Sequence, residues 1–227
     1  MDSATLLPVR PIPRLSHRPL SKLLVLGTNN RKKGIELREL LTPCGFQLQT
    51  LADIGGAIDV DETGSSFREN AELKASQQAR HLICWVLGED SGICVDALGG
   101  RPGIYSARYS GDQATDESNN RLLLEELNDT PKSRRTAHYV CHAALADPRG
   151  VVRANAEASC RGRIRRAPVG DAGFGYDPLF EVVEYHRTFG QLGDTVKSML
   201  SHRSRTIRLM APQIIRLAET GAWDEQM

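Results

Sequence analysis

Apolar positions divide the chain into short hydrophobic runs that end in polar turns and longer stretches with a helical period. Residues 22–27 (KLLVLG) are apolar almost throughout, which predicts a short buried strand. A helix follows, with Ile35, Leu37, Leu40 and Leu41 as its apolar positions and Gly45 just past its end. A strand near residues 47–51 precedes an acidic turn, Asp59-Val60-Asp61-Glu62-Thr63-Gly64. Ser66 and Glu69 have the spacing of a capping box, and Phe67, Ala71, Ala75, Ala79 and Leu82 predict the buried stripe of a second helix. Residues 83–87 read as a buried strand that ends at Gly88-Glu89-Asp90-Ser91-Gly92. Thr115 is placed to cap a helix reaching Asn128, with Leu122, Leu123, Leu124 and Leu127 along it. Residues 136–146 and 151–160 predict a long hairpin about Asp147-Pro148-Arg149-Gly150. The loop Gly173-Phe174-Gly175-Tyr176-Asp177-Pro178 precedes a short strand, and a last helix opens at Ser201-His202-Arg203, with Pro212 expected to interrupt or kink it. Strands and helices are mixed along the chain, which predicts a mixed α/β class.

Composition narrows the options. With 227 residues, 40% hydrophobic and 25% charged, the chain can bury a sizeable core, as one large domain or two lobes about a cleft. Its 29 basic and 28 acidic residues lack the positive excess of a nucleic-acid or membrane-surface protein. No apolar run is long enough to cross a bilayer. Five cysteines with no C-x-x-C pair argue against a zinc ribbon or a disulfide scaffold and suit a reducing cytosol. The first residues are rich in Pro and Arg, so 1–21 are expected to be a flexible extension, 22–220 the folded domain and 221–227 a C-terminal tail.

Four segments could carry chemistry. Thr28, Asn29, Asn30, Arg31, Lys32 and Lys33 join a strand to a helix N-terminus, where free N–H groups and the helix dipole favour phosphate. The spacing is not that of a Walker loop, and an ordinary polar turn would look similar. Glu89 and Asp90 follow an apolar run, and neighbouring carboxylates can hold Mg²⁺ or direct a water, although Asp, Ser and Gly also make plain turns. Phe174 or Tyr176 could stack on a base while Asp177 accepts a hydrogen bond from it, or the aromatics could simply anchor the loop. His202 and Arg203 at a helix start, with Lys197 a turn earlier, offer donors to a carbonyl or phosphate oxygen. Lys74, beside an apolar stripe, either snorkels or points into a cleft.

Taken in order, these segments resemble the inosine triphosphate pyrophosphatase family. The likeness rests on Thr28-x-Asn30-x-x-Lys33, Glu62-Thr63-Gly64 with Phe67 and Glu69-Asn70-Ala71, Lys74-Ala75, Glu89-Asp90-Ser91-Gly92, residues 97–109 (ALGGRPGIYSARY), residues 173–178 and Ser201-His202-Arg203. It implies an elongated mixed sheet with flanking helices forming two lobes around a nucleotide cleft, a homodimer, and Mg²⁺-dependent hydrolysis of ITP, dITP or XTP to monophosphate and pyrophosphate. It further implies that Thr28 to Lys33 and Lys74 grip the triphosphate and that Asp90 is general base and metal ligand, beside Ser91. Asp61 would be a second metal carboxylate, and Phe174, Gly175, Tyr176, Asp177, Lys197, His202 and Arg203 would hold the base. Two departures from the family pattern stand out: Asp where Glu is usual at position 61, and Thr195-Val196 where acidic residues usually precede the lysine.

Overall fold

The computed structural model describes residues 22–224, so the expected extension at 1–21 and the last three residues of the expected tail lie outside the described residues. Seven strands form one mixed sheet in the order β2-β1-β3-β4-β5-β6-β7. They are β1 (Leu23–Gly27), β2 (Gln47–Thr50), β3 (Val86–Val95), β4 (Thr136–Ala146), β5 (Val152–Ile164), β6 (Phe180–Val182) and β7 (Arg187–Thr188). β1 runs parallel to both β2 and β3, and every pairing from β3 to β7 is antiparallel. The helices are α1 (Arg31–Leu41), the short α2 (Leu51–Ile54), α3 (Phe67–Leu82), α4 (Asp116–Glu126), α5 (Phe189–Leu200) and α6 (His202–Glu219). The mixed α/β class expected from the sequence is therefore the observed one.

The helices start where side chains can satisfy their first free N–H groups. Asn30 accepts from Lys33 N at α1, Thr115 from Ser118 N at α4 and Ser201 from Ser204 N at α6. At α3 the capping differs from expectation. Ser66 Oγ takes Glu69 N, but the Glu69 carboxylate reaches Ser65 N at 2.6 Å instead of closing a box with Ser66. Ile35 does not join the apolar face of α1, being half exposed. Pro212 does not break α6, which runs unbroken to Glu219. The proline faces solvent while Met210, Ala211, Ile214 and Ile215 around it are buried against the sheet, and this packing outweighs the lost donor.

β3 departs most from the sequence reading. Ile83 is exposed and left-handed, closing α3, and the strand begins only at Val86. It does not end at Gly88 but continues through Glu89-Asp90-Ser91-Gly92 to Val95, paired residue for residue with β4. Two glycines make this possible. A Cβ on Gly88 would stand 2.6 Å from Ala71 O and Ala75 N of α3, and one on Gly92 would stand 2.3 Å from Gly103 O. β1, by contrast, leaves β3 at the Gly27–Gly88 pair. From Glu89 to Ile93, among the described residues, no strand pairs with β3 on that side, and a cleft opens there before Cys94 bridges to Pro102.

Apolar side chains fill both faces of the sheet. One cluster, with Leu24, Leu26, Leu37, Leu41, Met210 and Ile214, lies beneath α1 and α6. Another, with Val25, Ala71, Ala75, Ala79 and Val86, lies beneath α3. A third, with Ile93, Leu123, Tyr139, Phe180 and Phe189, forms the far lobe. Residues 221–224 do not behave as a tail: Trp223 stacks on Trp85 with centroids 3.9 Å apart, and Asp224 pairs with Lys22 at 2.9 Å. All five cysteines are free, and among the described residues no helix is long and apolar enough to cross a membrane.

Candidate active site

Successive strand residues face opposite sides of a sheet, so β3 sends its two carboxylates to different partners. Asp90 points toward α3, where its oxygens meet Lys74 Nζ at 2.9 Å and Asn70 Nδ2 at 3.3 Å. Lys74 Nζ also lies 3.2 Å from Glu62 Oε1, so one ammonium bridges two carboxylates. Burial would lower the Lys74 pKa, but Asp90 and Glu62 overcome it and raise it, so the amine stays charged. Burial pushes Asp90 up, and Lys74 and Lys33 only partly offset this. Asp90 thus sits above the usual carboxylate range even though it is paired with Lys74.

Glu89 and Ser91 face the other way. Glu89 receives Lys33 Nζ at 2.8 Å and Arg203 Nε at 2.7 Å, while Ser91 Oγ receives Arg203 Nη2 at 2.9 Å. Burial would raise Glu89, yet the charges of Arg203 and Lys33 hold it well below the usual carboxylate range. Arg203 also binds Glu36 of α1. Its guanidinium bonds Glu89, Glu36 and Ser91, so it builds the site's frame.

The other side of the cleft is organised around Phe174. Lys197 Nζ lies 4.0 Å from its ring centre and is itself fixed by Asp177 Oδ2 at 2.6 Å and Glu36 Oε1 at 2.8 Å. Lys32 Nζ stands 5.6 Å from the same ring. Tyr176 is buried and donates to Ser106 O at 2.9 Å, which makes it the anchor of the loop and leaves Phe174 as the loop aromatic free to stack. Asp177 is spent on Lys197 and on Phe174 N, at 2.8 Å, so it braces the loop. His202 is buried, stacks on Tyr139 with centroids 4.6 Å apart, and leaves Nδ1 without a partner. Burial and the neighbouring Arg203 hold its pKa well below the ordinary value, so the ring is neutral.

These groups line two adjoining cavities. One, of about 220 Å³, is walled by Thr28, Asn29, Asn30, Lys33, Glu62 and Lys74, among others. The other, of about 110 Å³, is walled by Ser91, Phe174, Asp177, Lys197, His202 and Arg203, and Asn30 and Lys33 belong to both. A larger space of about 880 Å³ lies on the other side of the Phe174 loop, away from the carboxylates. The two smaller cavities are the ones bordered by the buried ion pairs, with Glu89 and Lys74 on one and Arg203 and Lys197 on the other.

A sequence profile described as the Ham1 family matches residues 24–213. The chain belongs to the Ham1 family. A dITP/XTP pyrophosphatase from Rhodopirellula baltica is 54% identical over 199 residues, spanning 88% of this chain and 96% of the relative. One from Bacillus subtilis is 38% identical over 192 residues, 85% of this chain and 96% of the relative. A solved HAM1 protein from Coxiella burnetii superposes with a TM-score of 0.78 at 32% identity, covering 86% of this chain and 99% of that one. The Ham1 assignment bears out the resemblance drawn from the ordered motifs.

Most of the expected site residues of this Ham1 protein converge. Thr28, Asn29, Asn30, Lys33 and Lys74 meet on the phosphate-sized cavity, and Ser91, Phe174 to Asp177, Lys197, His202 and Arg203 on its neighbour. Arg31 is exposed and lines neither, and Lys32 stands over Phe174 at the cleft mouth. The geometry favours Glu62 over Asp61 as the second carboxylate. Asp61 is exposed and, among the described residues, makes no ion pair, while Glu62 shares Lys74 with Asp90. In an extended segment neighbouring side chains diverge, so an error of one residue exchanges wall for solvent. Glu36 was also missed by the sequence reading. It lies one turn beyond Lys33 on α1, and that i, i+3 spacing was the available signal. It supplies with Asp177 the acidic partners that Thr195-Val196 do not.

Proposed function

We propose that this chain hydrolyses non-standard purine nucleoside triphosphates, dITP, ITP and XTP, to the monophosphate and pyrophosphate with Mg²⁺ as cofactor. The observation that carries the reading is the Lys74 ammonium held between Glu62 and Asp90 at the edge of a polar cavity that opens onto a stacking ring.

Among the described residues no three metal-binding side chains converge. Magnesium does not need them, because it keeps several waters and commonly takes one or two carboxylates plus substrate phosphates. Glu62 and Asp90 fit that role, since a cation already stands between them. Bound there, the ion would offset phosphate charge and polarise a phosphoryl oxygen. The chain's own groups do the rest. The N–H groups at the start of α1, with Lys33 and Lys74, meet a triphosphate bearing roughly four negative charges. Asp90, its pKa raised by burial, accepts the proton of the attacking water. Phe174 stacks the base and brings it toward His202 and toward the third N–H of Lys197, the one that Asp177 and Glu36 leave over. A 6-oxo purine gives these donors an acceptor, whereas the 6-amino group of adenine would meet donors with a donor and leave buried polar groups unpaired. The same reading carries a homodimer and a cytosolic setting, the latter suited to five unpaired cysteines.

The test is product analysis with dITP, XTP, dGTP and dATP, each with Mg²⁺ or EDTA, for the natural chain and for Asp90→Asn. Expected are pyrophosphate and monophosphate from dITP and XTP, little from dGTP or dATP, none in EDTA, and loss of turnover in a still-folded Asp90→Asn. Orthophosphate release, or a bound triphosphate that stays intact with Mg²⁺, would replace the enzyme reading with another activity or with binding alone.

A further inference from the structure

The Phe174 ring can stack a base only if its loop is held, and the loop's hydrogen bonds lead to α4, which carries no residue of the expected site. Gly175 N donates to Asp116 Oδ2 at 2.9 Å, and Asn120 Nδ2 donates to Gly175 O at 2.9 Å. Asp116 and Asn120 are four residues apart and so lie on one face of α4. Between them they hold both polar groups of the residue that follows Phe174. Gly175 sits at φ +61 with open space where a Cβ would be, so a glycine is needed there for backbone conformation alone. Such a residue keeps little conformation of its own and depends on outside contacts. Thr115 caps the turn of α4 that bears Asp116, and Asp116 also lies 3.8 Å from Lys32, the cation over the Phe174 ring.

We propose that Asp116 and Asn120 are positioning residues for base recognition: α4 clamps the Gly175 peptide and thereby fixes the Phe174 ring. The inference rests on the nucleotide reading above. Asn120 is the informative member of the pair. It borders the large space behind the loop and not the base cavity, so any effect on the base passes through Gly175 and Phe174. The clamp acts on the base and not on the phosphates, because Lys33 pairs with Glu89 and Lys74 with Glu62 and Asp90, and the one residue of α1 paired with α4, Lys32, stands over the Phe174 ring.

The experiment compares the natural chain with Asn120→Leu, which keeps the shape and removes the donor, and with Asn120→Asp, which sets a carboxylate against the Gly175 carbonyl. KM and kcat for dITP and the inhibition constant of inorganic tripolyphosphate, which has no base, are measured for each. The expected result for Asn120→Leu is a KM raised about 3- to 10-fold, the size of one hydrogen bond, with kcat within about 2-fold. Asn120→Asp should be at least as impaired, and tripolyphosphate inhibition should be unchanged in both. In a Phe174→Ala background the Asn120→Leu effect should shrink to less than about 2-fold, since coupled residues are not additive. An unchanged KM, an equal weakening of tripolyphosphate, or a full effect without Phe174 would overturn the clamp. If the natural chain fails to release pyrophosphate from dITP, the functional reading falls instead. IMP affinity by calorimetry then judges the clamp: loss in Asn120→Leu supports it, and equal binding, or no binding to either chain, overturns it.

Discussion

At the scale of single residues, the site is a set of buried charges whose partners decide their roles. Arg203 and Lys197 look like free donors in the sequence, yet each is tied to two carboxylates, Glu89 and Glu36 for one and Asp177 and Glu36 for the other. Burying such cations without those acids would be strongly unfavourable. The acids come from three separate elements, so their grouping cannot be read locally, and this is why Glu36 escaped while Lys33 and Asp90 did not. The choice between Asp61 and Glu62 depends on one alternation of an irregular segment. Glu62→Gln should weaken Mg²⁺ activation of dITP hydrolysis at least about 10-fold, the range seen for groups that orient or hold a metal. Asp61→Asn should stay within about 2-fold, because its side chain faces solvent. Titrating Mg²⁺ against rate in both variants checks this, and the opposite order would return the metal role to Asp61.

At the scale of elements, β3 makes the site by running past its neighbour. Its glycines are what let α3 and the Gly103 segment approach closely enough to enclose the carboxylates. Gly88→Ala would drive a methyl into the α3 backbone, where neither atom can move cheaply, and overpacking of this kind destabilises by about 1–3 kcal/mol. For a domain of this size the melting midpoint should fall by roughly 2 to 12 °C. An unchanged midpoint by circular dichroism would show that α3 can shift away. The same segment marks the limit of what local pattern reveals. Gly88 to Gly92 is built of turn formers and reads as a turn, but five pairings with β4 hold it extended. Where local signals and tertiary packing agree, the sequence was legible: the caps Ser66, Thr115 and Ser201 mark helix starts, and the β4–β5 hairpin turns about Asp147 as expected. α5 was missed because Gly190 and Gly193 dilute its period, and Gly193 breaks it with a φ of 73°. The Gly173–Pro178 loop was placed in the site from its aromatics, but its dependence on α4 needed the fold, since Asn120 and Gly175 are 55 residues apart.

At the scale of the whole molecule, the cleft is left open at the C-terminal end of β1 while the opposite end of that strand is closed by the chain's last described residues. Trp223 stacks on Trp85, lies 5.4 Å from Phe46 and donates from Nε1 to Leu23 O at 3.1 Å. Lys22 adds bonds to Ala218 O in the last turn of α6 and to Asp224 beyond it. This clasp ties α6, which carries His202 and Arg203 at its start, to β1, which leads into the phosphate-side turn. Its role is to stabilise the lobe, and the reacting groups do not touch it. Trp223→Ala removes the stack and the Nε1 bond. Trp223 is half-buried, so the loss should be about 2 kcal/mol, below the ~3–5 kcal/mol of a fully buried tryptophan. The melting midpoint should drop by roughly 4 to 8 °C. The chain has two tryptophans, so the near-ultraviolet circular dichroism of the stacked pair should vanish in the variant. At a temperature where the variant is folded, kcat/KM for dITP should stay within about 2-fold of the natural chain. A large fall in kcat/KM without loss of stability would mean that the far end of β1 reaches the cleft, and that α6 is held in its working position by this clasp.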